Sequence, residues 1–222
     1  MKNLSPEARV WLAARKVPAD TARAYGARQG TRRDVYGKVD LRDRLLFPLR
    51  DVMGAEVTVI GWKPTAKVAY LHPVYPKGRY LYGLWECGVA AYQAGHVLVT
   101  EGIFDVLAGF RLGYPTVGVL GSHLTGVQAA TLAAFVPQAI LILDADEAGR
   151  NGAYKGLQSL ASVGVAGEVV DLGGLAPNTK DLDDAVRKVP AAVRARIETG
   201  LERLRTIVDP EAALLRRMEA LR

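Results

Sequence analysis

A chain of 222 residues that is 50% hydrophobic can bury a real core, as one compact unit or two intimate subdomains, and this excludes a disordered or fibrous protein. Its formal charge of +6 inclines it towards polyanionic partners by counterion release, although a surplus that only solubilises the surface has the same magnitude. No apolar run approaches the roughly 20 residues that span a bilayer, and the opening MKNLSPEARVW lacks the layout of a secretory signal, so a cytoplasmic protein with no membrane partner is expected.

In chain order, the first forty residues read as helical. SPEARVWLAARK starts from Ser5 as N-cap with Pro6 at the first helical position, and a second short helix follows around PADTARAYG. RLLFPLRDVMGAEVTVIGW then reads as two strands around a turn near Met53 and Gly54. The segment from Lys63 to Leu84, rich in Tyr, Pro and basic residues, reads as irregular backbone with short strands, and this first unit ends near residue 92. From His96 strands and helices alternate: HVLVT, a helix closed by Gly113, TVGVLG, a helix capped by Thr125, AILILD, the helix AGRNGAYKGLQSLASV, GEVVDL, and a short helix beginning near Asp181. Strands apolar on both faces and joined through helices imply a parallel sheet covered on both sides, with ligands beyond the carboxyl ends of its strands. Residues 189 to 222 read as two amphipathic helices divided at Asp209 and Pro210. The lone Cys87 forms no internal disulfide and reads as a small apolar residue, and His72, His96 and His123 lack the spacing of a zinc site.

Three strand ends of the α/β half terminate in acids. The first gives Glu101 and Asp105, the third Asp144 and Asp146, and the fourth is followed by Asp181, Asp183 and Asp184. If the backbone is extended from 144 to 146, Asp144 and Asp146 share a face. Each acid has a bland reading as a helix cap or a complement to a helix N-terminus, and singly that reading is at least as good as a catalytic one. Together the bland readings require three coincidences at one sheet edge, so a divalent-metal site is favoured. Oxygen ligands without His or Cys point to Mg²⁺ or Mn²⁺. Gly102, Gly121, Gly149 and Gly152 flank the acids, but neither GxxxxGK[ST] nor GxGxxG occurs, so phosphates would be held through metal and side chains.

EGIFD followed by DADEAGRNG resembles the TOPRIM domain shared by primases, topoisomerases and small nucleases. KDLDD and LGSHLT narrow the resemblance to DnaG-type primase. Upstream, WLAARKVPADTARAYG, RDRLLFPLRDVMGAEV and YPKGRYLYGLWE resemble, in the same order, the amino-terminal subdomain of the primase RNA-polymerase core, so the likeness covers most of residues 8 to 188. It implies a TOPRIM-type parallel sheet with helices on both faces at 93–188, an α+β amino-terminal subdomain at 1–92 and a short helical tail at 189–222. It further implies an acidic metal centre of Glu101, Asp105, Asp144, Asp146, Asp181 and Asp183, with Lys63, Lys67, Lys77 and Arg79 on a basic groove facing it. Arg150 and Lys180 stand beside the acids, to touch nucleotide phosphates or neutralise the cluster. The chain departs from the family in lacking the zinc-binding module and a full helicase-binding domain. It therefore reads as a core fragment or as a compact stand-alone primase of phage or mobile-element type, and its start favours the second.

The implied activity is synthesis of short RNA primers on a single-stranded DNA template from nucleoside triphosphates. The alternatives are a TOPRIM metal-dependent nuclease and a non-catalytic nucleic-acid-binding replication module; the remaining length leaves no room for a topoisomerase strand-passage domain. The stripe ALLRRMEAL is a candidate for binding a replicative helicase, with packing back onto the core as the plainer alternative.

Overall fold

The computed structural model describes residues 4–205. Helix α1 (Pro6–Ala14) is started by Ser5, whose hydroxyl accepts from the Ala8 amide, and α2 (Ala19–Ala24) follows. Helix then stops. Gly26 takes φ +73°, and residues 28 to 40 form the short strands β1 (Arg28–Gln29), β2 (Val35–Tyr36) and β3 (Val39–Asp40), correcting the helical expectation for the first forty residues. Past Tyr25 the sequence has polar and basic residues at short spacing and no apolar stripe of period 3.6, so nothing there holds a helix on a core.

The expected strands β4 (Leu45–Arg50) and β5 (Glu56–Trp62) pair antiparallel and, with β1 and β6 (Tyr70–Leu71), build a sheet of order β1-β4-β5-β6. A single 3₁₀ turn covers Lys77–Arg79. Helix α3 (Leu84–Ala94) was not expected. Its inner face buries Leu84, Cys87 and Ala91, while Trp85, Val89 and Tyr92 are exposed, so apolar residues surround it and the amphipathic contrast is lost. The expected division at residue 92 falls inside this helix.

The α/β half follows as β7 (His96–Thr100), α4 (Ile103–Arg111), β8 (Thr116–Gly118), α5 (Gly126–Ala133), β9 (Gln138–Leu141), α6 (Glu147–Ala161), β10 (Ala166–Val169), α7 (Leu182–Lys188) and α8 (Pro190–Arg205). Its four strands are all parallel, in the order β10-β9-β7-β8. Alternation along β7 sends Val97 and Val99 to a core with α3, α5 and α6, and Leu98 to a core with α4, α7 and α8. The fold is thus α/β with both sheet faces covered. Among the described residues no helix is long and apolar enough to cross a membrane. ALLRRMEAL and the second tail helix lie outside the described residues.

The two halves share a core. Ile103, Phe104, Val106 and Leu107 of α4 pack with Leu12, Tyr25, Phe47, Ile60 and Trp62. Tyr82 exchanges both backbone hydrogen bonds with Gly118, so the first half also closes the free edge of β8.

Candidate metal and nucleotide centre

The carboxyl ends of the parallel strands open on a cleft of about 530 Å³. Glu101, Asp105, Asp144 and Asp181 line it from the sheet edge, and Arg15, Tyr70, His72 and Lys77 from the first half. The loops after β7, β9 and β10 thus bring together acids separated by up to 80 positions in sequence.

Local hydrogen bonds fix each acid. Glu101 accepts from the Asp144 amide at 3.2 Å, which ties the ends of β7 and β9. Asp146 is the N-cap of α6 and accepts from Gly149 N at 2.7 Å; Asp181 caps α7 and accepts from Asp184 N at 2.7 Å. One oxygen of each cap stays unused by these bonds. Asp105 is more committed: Oδ2 accepts from Gly102 N and Oδ1 from Asp183 N, both at 3.0 Å. The Asp144 carboxylate accepts no hydrogen bond from the described residues. Close backbone packing holds it in place, since a Cβ on Gly149 would lie 1.9 Å from the Asp144 carbonyl oxygen and one on Gly152 would lie 2.0 Å from that of Ser122.

Asp183 is placed differently. It is fully buried and does not line the cleft. Its Oδ2 accepts from Arg15 at 2.8 Å and from Arg187 at 3.2 Å, while Oδ1 is buried without a hydrogen-bond partner among the described residues.

The cleft acids repel one another. Burial, followed by the charge of Asp181, pushes Asp105 up to about 8 from an ordinary 3.8, and burial together with Glu101 and Asp181 pushes Asp144 up to about 6. Glu101 is raised by burial and by Asp146. A cation would offset this repulsion. Among the described residues no three acidic, histidine or cysteine side chains close around a common point. The acids so placed fit Mg²⁺ or Mn²⁺, which keep water and share one or two carboxylates with substrate phosphates.

The raised values set a pH dependence in the absence of divalent cation. Folded Asp105 and Asp144 retain protons that the unfolded chain has released, so their stabilising contribution is complete below about pH 4 and lost as pH rises through about 8 and about 6 respectively. Urea unfolding in EDTA is expected to give a lower midpoint at pH 8 than at pH 5, and Mg²⁺ at pH 8 is expected to raise it again.

Of the expected cations, Lys77 alone lines the acid cleft. The buried Gln128 explains its placement. Its Nε2 donates to Tyr80 O at 2.7 Å, Val119 O at 3.2 Å and Lys77 O at 3.4 Å, and Thr125 Oγ1 donates to Gly78 O at 2.6 Å. The start of α5 thereby clamps the KGRY turn beneath the sheet edge. Gln128→Ala leaves buried carbonyls without a donor and is expected to cost about 3 kcal/mol, read as a lower urea midpoint.

The other expected cations do not line this cleft. Lys63 borders a separate hollow with Glu7 and Trp11; Arg79 faces a recess with Arg50 and Asp51; Arg150 lines a small recess that it shares with Asp144 and Asp171. Lys67 and Lys180 are exposed, and the Lys180 carbonyl accepts from Ala145 N. Sequence reasoning gave no role in the cleft to Arg15, Tyr70 or His72. Arg15 ends α1, distant from any motif, and its chemistry comes only from the fold.

Residues 98–186 match a family described as Toprim-like. A DNA primase of Pseudomonas aeruginosa is 34% identical over 164 residues, covering 70% of this chain and 24% of that protein. The chain spans only about a fifth to a quarter of the length of the curated relatives it matches. Among solved structures, the DnaG catalytic core superposes with TM-score 0.74 at 25% identity, covering 89% of this chain and 74% of that one. A DnaG primase catalytic domain bound to ssDNA superposes with TM-score 0.74 at 24% identity, covering 87% and 71%.

Proposed function

We propose that this chain, which carries a Toprim-like domain and resembles the catalytic core of DnaG-type primase, is a nucleotidyltransferase that synthesises short RNA primers on single-stranded DNA. The observation that carries the reading is one cleft in which Glu101, Asp144 and Asp181 face Lys77 and Arg15 across the junction of the two halves. Residues 1–92 would carry the template and 93–188 the chemistry, with the tail from 189 as support or docking element.

Asp144, Glu101, Asp181 and the free oxygen of Asp146 are the candidate ligands, one or two at a time, of Mg²⁺ or Mn²⁺ shared with substrate phosphates, and Asp105 would brace the loops that bear them. Such a cation, when bound, supplies charge neutralisation to an in-line phosphoryl transfer. The primer 3′-hydroxyl oxygen bonds to the α-phosphorus, the bond to the β-phosphate oxygen breaks, and pyrophosphate leaves. Glu101, raised above its ordinary range, is the candidate acceptor of the hydroxyl proton. Lys77 and Arg15 would draw triphosphate or template phosphates towards the acids. The ssDNA-bound relative supports a strand as the partner, and its fold is shared by this chain.

Cleavage by the same acids is the competing chemistry, and one experiment separates the two. A single strand is incubated with Mg²⁺ or Mn²⁺ and labelled nucleoside triphosphates, and in parallel the same strand, end-labelled, is incubated with the cation alone. Short labelled RNA made from the triphosphates supports the primase reading, and shortening of the end-labelled strand without them overturns it in favour of a nuclease.

A further inference from the structure

Asp183 belongs to the same acidic segment as Asp181, yet its surroundings differ from those of the other acids. It is fully buried, and its Oδ2 already takes two guanidinium groups, Arg15 at 2.8 Å and Arg187 at 3.2 Å. Arg15 is one-third exposed, and its guanidinium carbon stands 4.3 Å from the centroid of the Phe104 ring and 5.6 Å from that of Trp62. A ring face and a buried carboxylate fix the guanidinium plane from two sides. Only one of its N–H groups is spent on Asp183, and Arg15 lines the acid cleft. The neighbouring Lys16 adds a second tie between α1 and α7 by donating to Arg187 O at 2.9 Å.

We propose that Asp183 is a positioning residue and not a metal ligand: its buried carboxylate holds Arg15 against Phe104, so that the remaining N–H groups of Arg15 bind a phosphate group entering the acid cleft. The phosphate belongs to a nucleoside triphosphate or to a nucleic-acid backbone, which share this chemistry. Two elements from opposite ends of the described chain thus build one anion site, with α1 supplying the donor and α7 the anchor. The inference rests on the reading of the cleft as a metal and phosphate centre.

The test compares wild type with Asp183→Asn, Arg15→Met, the double variant and Asp144→Asn as metal control. Mn²⁺ binding is followed by electron paramagnetic resonance, and binding of ATP and of oligo(dT) by calorimetry and fluorescence anisotropy. Arg15→Met changes a partly exposed side chain and leaves Asp183 paired with Arg187, so it keeps the test open if Asp183→Asn folds poorly. Asp183→Asn and Arg15→Met are expected to keep Mn²⁺ affinity within about twofold, since neither removes a ligand, and to weaken one phosphate probe by about tenfold or more. The double variant is expected to bind no more weakly than Arg15→Met alone. The probe that weakens, ATP or oligo(dT), identifies the phosphate. Loss of Mn²⁺ in Asp183→Asn to the extent seen in Asp144→Asn overturns the proposal, as does unchanged binding of both probes in Arg15→Met. A wild-type protein that binds neither Mn²⁺ nor either probe overturns the reading of the cleft and this inference with it.

Discussion

Asp144→Asn is expected to lower metal-dependent phosphoryl transfer by about 10³-fold while leaving the metal-free protein at least as stable as wild type. The two effects come from one arrangement. The Asp144 carboxylate accepts no hydrogen bond from the described residues, so its environment offers it no stabilising partner, and burial with Glu101, Asp181 and Asp146 pushes it up to about 6. An amide of the same size removes the charge and keeps the volume. In EDTA at pH 8, where the wild-type carboxylate is ionised, the variant is expected to show an equal or higher urea midpoint. Addition of Mg²⁺ raises the wild-type midpoint and is expected to raise the variant's much less. A variant with a clearly lower midpoint in EDTA would contradict the view that Asp144 is held for a cation and carries no structural load.

Gly149→Ala is the second large effect, and it acts through space. Gly149 lies in the first turn of α6, where alanine is favoured over glycine by about 1 kcal/mol in helix propensity. The added Cβ would nonetheless lie 1.9 Å from the carbonyl oxygen of Asp144, 2.8 Å from its carbonyl carbon and 3.0 Å from its amide nitrogen. Backbone cannot turn aside as a flexible side chain can. The overpacking is expected to win, with a net loss of about 3 kcal/mol and displacement of Asp144 from the cleft. Gly126→Ala is the matched control. Gly126 opens α5 with nothing within 4 Å of an added Cβ, so that variant is expected to match or slightly exceed wild type. Paired urea titrations, with the same activity assay, check both.

What was legible in the sequence is what local chemistry determines. Ser5 and Pro6 start α1, Thr125 caps α5, and the alternation from His96 gives the parallel sheet. The strand-end rule brought Glu101, Asp144 and Asp181 to one cleft because each follows its strand directly or caps the next helix. Side-chain direction was not legible. Asp181 caps α7 and faces the cleft, but at about 100° per residue Asp183 points roughly to the other side of the helix, into the core, where Arg15 meets it. Lys63 and Arg79 are near the acids in sequence logic, yet they border other hollows, because turns between short strands send neighbouring side chains apart, whereas Arg150 on α6 shares a small recess with Asp144. Arg15 carries no signal in its own stretch. Its partner lies 168 positions away, and only the packing of α1 against α4 and α7 brings them together. Helix α3 escaped because its exposed Trp85, Val89 and Tyr92 blur the periodicity that marks a surface helix.

The central claim is that the acid cleft drives template-directed polymerisation. The most direct measurement incubates the protein with a single-stranded DNA template, labelled nucleoside triphosphates and Mg²⁺ or Mn²⁺, with Asp144→Asn alongside. Short labelled RNA that depends on template and metal, and that disappears in Asp144→Asn, is the result expected. No product above the level of that variant would contradict the claim.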